Sequence, residues 1–171
     1  MSLLVIEFTF LEGRDCELVV TEFAAVDSHI YRVSSYVFKR PYSWEEVHLL
    51  TARMNQAIDH GCNWNDCDVP YADLENVLHR EAPSTVAIYC LGLQKTQFIS
   101  GLLELAVVDC TRLGCPQLAD ICQPAISCTF ACHNNSKHVC ALRTAHSLAQ
   151  WLNLHILSQQ HSMCPAQTAF H

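Results

Sequence analysis

LLVIEFTF (residues 3–10), ELVVTEFAAV (17–26) and IYRVSSYVF (30–38) decide the fold of this chain. The first is an apolar run interrupted only by Glu7, and it reads as a buried strand. The second has the same character. The third alternates and is rich in β-branched and aromatic residues, which suits a strand with one face covered. Leu11 to Asp15 and Asp27-Ser28 read as turns. Both connections are hairpin-length, so the three strands are expected to form an antiparallel meander.

The period changes after Arg40. Ser43 and Glu46 have capping-box spacing, and Val47, Leu50, Met54 and Ile58 follow at helical intervals up to Gly61. Tyr71, Leu74, Val77 and Leu78 mark a second, shorter helix. Thr85–Cys90 is a fourth strand, and Gly92 turns into a helix holding Phe98, Ile99, Leu102 and Leu103. Leu105–Val108 is a fifth strand ending at Asp109. A last helix spans roughly Cys140–Leu157, with Leu142, Ala145, Leu148 and Leu152 on one face. The order β-β-β-α-α-β-α-β-α predicts an α/β domain with a mixed five-stranded sheet and helices on its faces.

The composition bounds the function. The chain has 171 residues, 50% hydrophobic and 16% charged, which is one domain able to bury a sizeable core. The net charge is −7 and the densest basic spot is Lys39-Arg40, so nonspecific phosphate binding is disfavoured. The start has no basic n-region and only a four-residue apolar run, which argues against a secretory signal. No stretch approaches the ~18 apolar residues of a membrane span. The expected compartment is therefore intracellular and reducing. There the 11 cysteines are thiols or metal ligands rather than disulfides. Residues 1–157 are expected to form the domain and 158–171 a loosely held tail.

Six of those cysteines fall between residues 110 and 140, with His133 and His138 among them. Structural zinc takes four Cys or His ligands in a tetrahedron. Cys128-x-x-x-Cys132-His133 and His138-x-Cys140 are the strongest local units, and Cys115 can close the site from upstream. The preferred set is Cys115, Cys128, His133 and Cys140, with Cys132 and His138 as alternates. The competing reading is unconnected thiols in a Cys-rich chain. Such a site would be structural, since it leaves no open position. Cysteine-protease chemistry lacks a signature here, and no Cys-x-x-Cys supports a redox motif.

The element order resembles the ribonuclease H-like fold, specifically the DnaQ-type (DEDDh) 3′–5′ exonucleases, over roughly residues 3–157. The first family motif, Asp-x-Glu-x-Thr, reads Val5-Ile6-Glu7-Phe8-Thr9, keeping the Glu and Thr. The second places an Asp where this chain has Tyr89-Cys90-Leu91-Gly92-Leu93-Gln94-Lys95. An Asp-Thr after strand five reads Asp109-Cys110. In the third motif His138 is present, but the following Asp falls on Arg143 or Thr144. The segment from LGCP through the Cys/His run also looks like uncharacterised exonuclease-like proteins of invertebrates and their viruses.

Family chemistry uses two divalent ions about 3.5–4 Å apart, held by clustered carboxylates. Glu7, Asp109 and His138 are the only catalytic remnants the resemblance assigns. It therefore implies a non-catalytic fold that binds another protein, or a second copy of itself, braced by zinc before the last helix. Two alternatives stay open. One is a metal-dependent exonuclease with a rearranged site. The other is a nucleic-acid binder that does not cleave.

Overall fold

A computed structural model describes residues 3–12, 17–28, 32–42, 67, 69–83, 87–117, 121 and 139–162. These contain five strands of one mixed sheet: β1 (Leu3–Glu12), β2 (Leu18–Asp27), β3 (Arg32–Val37), β4 (Ala87–Cys90) and β5 (Val107–Asp109). Their spatial order is β3-β2-β1-β4-β5. The first three form the expected antiparallel meander, and β4 and β5 add to β1 in parallel on its other side. Three α-helices accompany them: α1 (Leu74–Glu81), α2 (Leu93–Leu103) and α3 (Ala141–Ser162). The helix expected from Ser43 to Gly61 lies outside the described residues, as does the Cys/His run between 122 and 138.

Side chains of successive strand residues point to opposite faces, and here both faces are covered. On one face Leu4, Ile6 and Phe8 pack with Phe23 against Leu78 of α1 and Ile99 of α2. On the other, Val5, Ala24 and Val26 lie under Ala145, Leu148 and Leu152 of α3. That double coverage is why β1 and β2 read as near-continuous apolar runs. Each fully buried Val, Leu, Ile or Phe side chain among them contributes about 1.5–3 kcal/mol.

Element ends differ from the sequence reading in several places. Asp27 is the last residue of β2, not part of a turn, and pairs with Leu4 and Arg32. Leu11 and Glu12 belong to β1, not to a turn, because they pair with Val19 and Leu18 of β2. Leu105 belongs to the turn after α2, since its carbonyl accepts from the Ser100 hydroxyl at 2.7 Å, and β5 begins at Val107. The last helix continues beyond Leu157 to Ser162.

Two tertiary ties position the edge strand β3. Buried Glu81, at the end of α1, accepts from Arg32 Nη2 (2.9 Å), Ser34 Oγ (3.0 Å) and Tyr36 Oη (2.6 Å). The Arg80 guanidinium lies over the Tyr36 ring, 5.4 Å from its centroid. Beyond β3, Phe38 forms a parallel bridge with Val69.

The parallel register fixes the rest. Val5 is level with Tyr89, so Glu7 is level with Leu91, just past the carboxyl end of β4. Cys90 is level with Asp109 at the end of β5. Glu7, the Leu91-Gly92 turn and Asp109 therefore share one rim. In open α/β sheets, ligands bind outside the carboxyl ends of parallel strands, where the strand order reverses.

Candidate functional site

Glu7 sits on the central strand and is fully buried. A buried carboxylate requires partners for its charge. The Leu91 backbone N–H donates to Oε1 at 2.7 Å, and the Cys90 thiol approaches the same oxygen at 3.6 Å. The Lys95 ammonium donates to Oε2 at 2.5 Å. Lys95 lies on the first turn of α2, with its side chain only 20% exposed. Its ammonium is also 5.6 Å from the centroid of the Phe8 ring, a second contact favourable to the cation. The strand-one carboxylate and the cation that neutralises it thus both come from this chain.

Asp109 stands beside this pair with a different duty. Its Oδ1 accepts from Gly92 N–H (2.9 Å) and Thr111 N–H (3.0 Å), capping the 3₁₀ turn Cys110–Leu113. Burial pushes the Asp109 carboxyl up, but the hydrogen bonds from Thr111 and Gly92 outweigh it, leaving the pKa below the ordinary value. Gly92 has φ +97°, a conformation that residues with a side chain rarely adopt. This lets its N–H turn toward Asp109 as the chain leaves β4 for α2.

Another buried glutamate near the rim escaped the sequence reading. Glu22 on β2 pairs with Thr9 of β1, placing it diagonally from Glu7 on the α3 face of the sheet. Its Oε2 accepts from the Ala141 N–H at 3.2 Å, supplying a partner to the start of α3. The signal was present as the one acidic residue in the apolar stretch VVTEFAAV.

The thiols nearby are held protonated. Burial, then the charge of Glu7, pushes Cys90 well above its ordinary value. Cys110 is raised to about 12 by burial first, then by Cys115 and Glu7. Cys115 is raised to about 11 by burial, then by Glu7 and Asp109. None of these is an activated nucleophile, since reactive cysteines have depressed pKa values.

The sequence-predicted residues separate into three groups. Glu7 and Asp109 are brought to one rim. Cys115 and Cys140 pack into the same apolar cluster under α3. Cys128, Cys132, His133 and His138 lie outside the described residues. Among the described residues no group of three or more His, Cys, Asp or Glu is arranged to hold a metal ion.

Among the described residues the rim does not assemble the clustered carboxylates that a divalent pair needs. Both Glu7 oxygens and Asp109 Oδ1 are occupied by donors from the chain. Neither α2 nor α3 carries an acidic residue in its first turn, where Lys95 and Arg143-Thr144 stand instead. No helix among the described residues is long and apolar enough to cross a membrane. The chain matches no protein-family model and no curated protein sequence.

Proposed function

We propose that this chain is a ribonuclease H-like domain of the DnaQ exonuclease type that has lost catalysis and works as a protein-interaction module. The strand order β3-β2-β1-β4-β5 supports the fold reading, with a meander on one side of β1 and parallel additions on the other. The carrying observation is the Lys95 ammonium on Glu7. In the family chemistry, divalent cations neutralise the strand-one carboxylates and activate water. Here a lysine neutralises Glu7, and a lysine cannot activate water as a Lewis acid. The net charge of −7 supports a protein rather than a phosphate backbone as the partner.

Structural zinc belongs to the same proposal. Cys115 and Cys140 share one cluster, and Cys128 and His133 would complete a tetrahedral set between β5 and α3. Zinc would displace the thiol protons that the apolar cluster otherwise retains.

The test is an exonuclease assay on single-stranded DNA and RNA with Mg²⁺ or Mn²⁺. No degradation is expected. Degradation abolished by Glu7→Gln would overturn the non-catalytic reading in favour of a rearranged nuclease site. For zinc, elemental analysis of the purified chain is expected to find one ion per chain, lost in Cys115→Ser and Cys140→Ser. Absence of zinc from the unaltered chain would refute the brace.

A further inference from the structure

Among the described residues the β3 edge of the sheet is open, with a groove beside it. β3 is an outer strand. The Phe38 N–H bonds inward to Thr21 of β2, whereas the Val37 carbonyl points outward and accepts from Val69 N–H. Antiparallel strands alternate in this way, so the N–H and C=O groups of Val33 and Ser35 also point outward. Among the described residues these four groups have no backbone partner. The chain's own Val69 takes only the far end of this edge.

The side chains of Val33 and Ser35 stand on the α3 face, because their cross-strand partners Val26 and Ala24 do. Among the described residues that face is covered less fully at β3, since α3 packs mainly on β1 and β2. The result is a groove of about 290 Å³ between α3 and the ends of β2 and β3. Val26, Val33 and Ala149 give it an apolar floor, and Gln150 and His146 supply polar groups from α3. Val33 is 43% exposed at its mouth. Asp27 is the charged residue among those lining the groove, no lysine or arginine joins it there, and burial holds the half-buried His146 pKa below its ordinary value. An acidic side chain would therefore find no counter-charge there.

We infer that β3 takes a short extended segment of another protein as a sixth strand. Main-chain bonds would form to Val33 and Ser35, and one uncharged aliphatic side chain would lean over Val33 into the groove beside α3. Edge addition of this kind draws affinity from main-chain bonds and specificity from pockets for alternate side chains. A second copy is the competing occupant, since two β3 strands would meet over the same Val33 to Ser35 stretch with each copy's Val69 beside it. This inference rests on the reading of the chain as an interaction module and names the surface that module uses.

The test uses the whole chain and the peptide acetyl-Lys-Val-Thr-Val-Lys-amide, followed by amide NMR shifts and hydrogen exchange. Binding is expected to shift the Val33 and Ser35 amides and to slow their exchange. Ser35→Pro removes an outward N–H, which an edge strand tolerates, so the fold should persist. The peptide affinity should fall roughly tenfold or more, the scale of one lost hydrogen bond and an obstructed neighbour. Gln150→Trp, which fills the groove, should weaken binding comparably without touching the edge. No saturable binding, equal binding to Ser35→Pro, or shifts confined to β5 would overturn the inference. Self-association abolished by Ser35→Pro would also overturn it, by giving the edge to a second copy. Nuclease activity would sink the non-catalytic reading and leave the peptide result standing.

Discussion

Replacing Lys95 with methionine tests the ion pair at the centre of the sheet. The substitution keeps the length of the side chain and removes its charge. Glu7 is fully buried, so it would then retain its Leu91 N–H and lose its only cation within bonding distance among the described residues. Breaking a buried pair from one side costs about 3–5 kcal/mol, because an uncompensated charge remains. The lysine side chain is 20% exposed, so water offsets part of this and about 3 kcal/mol is expected. That is a large share of a typical domain stability of roughly 5–15 kcal/mol. With a urea slope of ~2–3 kcal/mol per M, the unfolding midpoint should fall by about 1–1.5 M. Glu7→Gln combined with Lys95→Met removes both charges while an amide oxygen can still accept from Leu91. The double variant should be more stable than the sum of the single losses implies, by about 2 kcal/mol. A Lys95→Met unfolding free energy within ~0.5 kcal/mol of the unaltered chain, with additive losses, would refute the pairing.

Two other outcomes follow from the same geometry. Buried Glu81 accepts three hydrogen bonds from β3, so Glu81→Ala should cost about 2–4 kcal/mol in urea unfolding, whereas Tyr36→Phe should cost only about 1 kcal/mol. Cys90 has a raised pKa in the folded chain, so the folded state holds its thiol proton at alkaline pH where the unfolded state releases it. Its contribution to stability is therefore complete below the ordinary value of 9.0 and is lost as pH rises above it. Unfolding midpoints measured upward from pH 8 should decline beyond pH 9. Peptide-level alkylation at pH 8 should leave Cys90 unmodified until denaturant is added.

The legible parts of the fold are those whose cause is local. β1 and β2 could be read because both of their faces are buried, which makes their apolar runs continuous. The amphipathic spacing of Leu142, Ala145, Leu148 and Leu152 likewise marked α3. Strand ends were less legible, because pairing with a distant partner decides them. Leu11 looks like the start of a turn until Val19 is placed opposite it. At the site, Glu7 stood out as the one charge in a buried run, and Gln94 or Lys95 stood where the resemblance leads one to expect an acid. The bond between Glu7 and Lys95 was not legible, because it spans 88 positions and depends on the parallel register of β1 and β4. Glu22 was overlooked for a related reason. Its partner is the N–H of Ala141, 119 residues away, and a backbone donor leaves no mark in a sequence.

On the proposed reading, Lys95 stands where a divalent cation would otherwise neutralise Glu7. Mn²⁺ titration followed by electron paramagnetic resonance tests this most directly, since free and protein-bound Mn²⁺ give distinct signals. The unaltered chain and Glu7→Gln are predicted to bind Mn²⁺ alike, with no site that depends on Glu7. A stoichiometric Mn²⁺ site in the unaltered chain that disappears in Glu7→Gln would contradict the account.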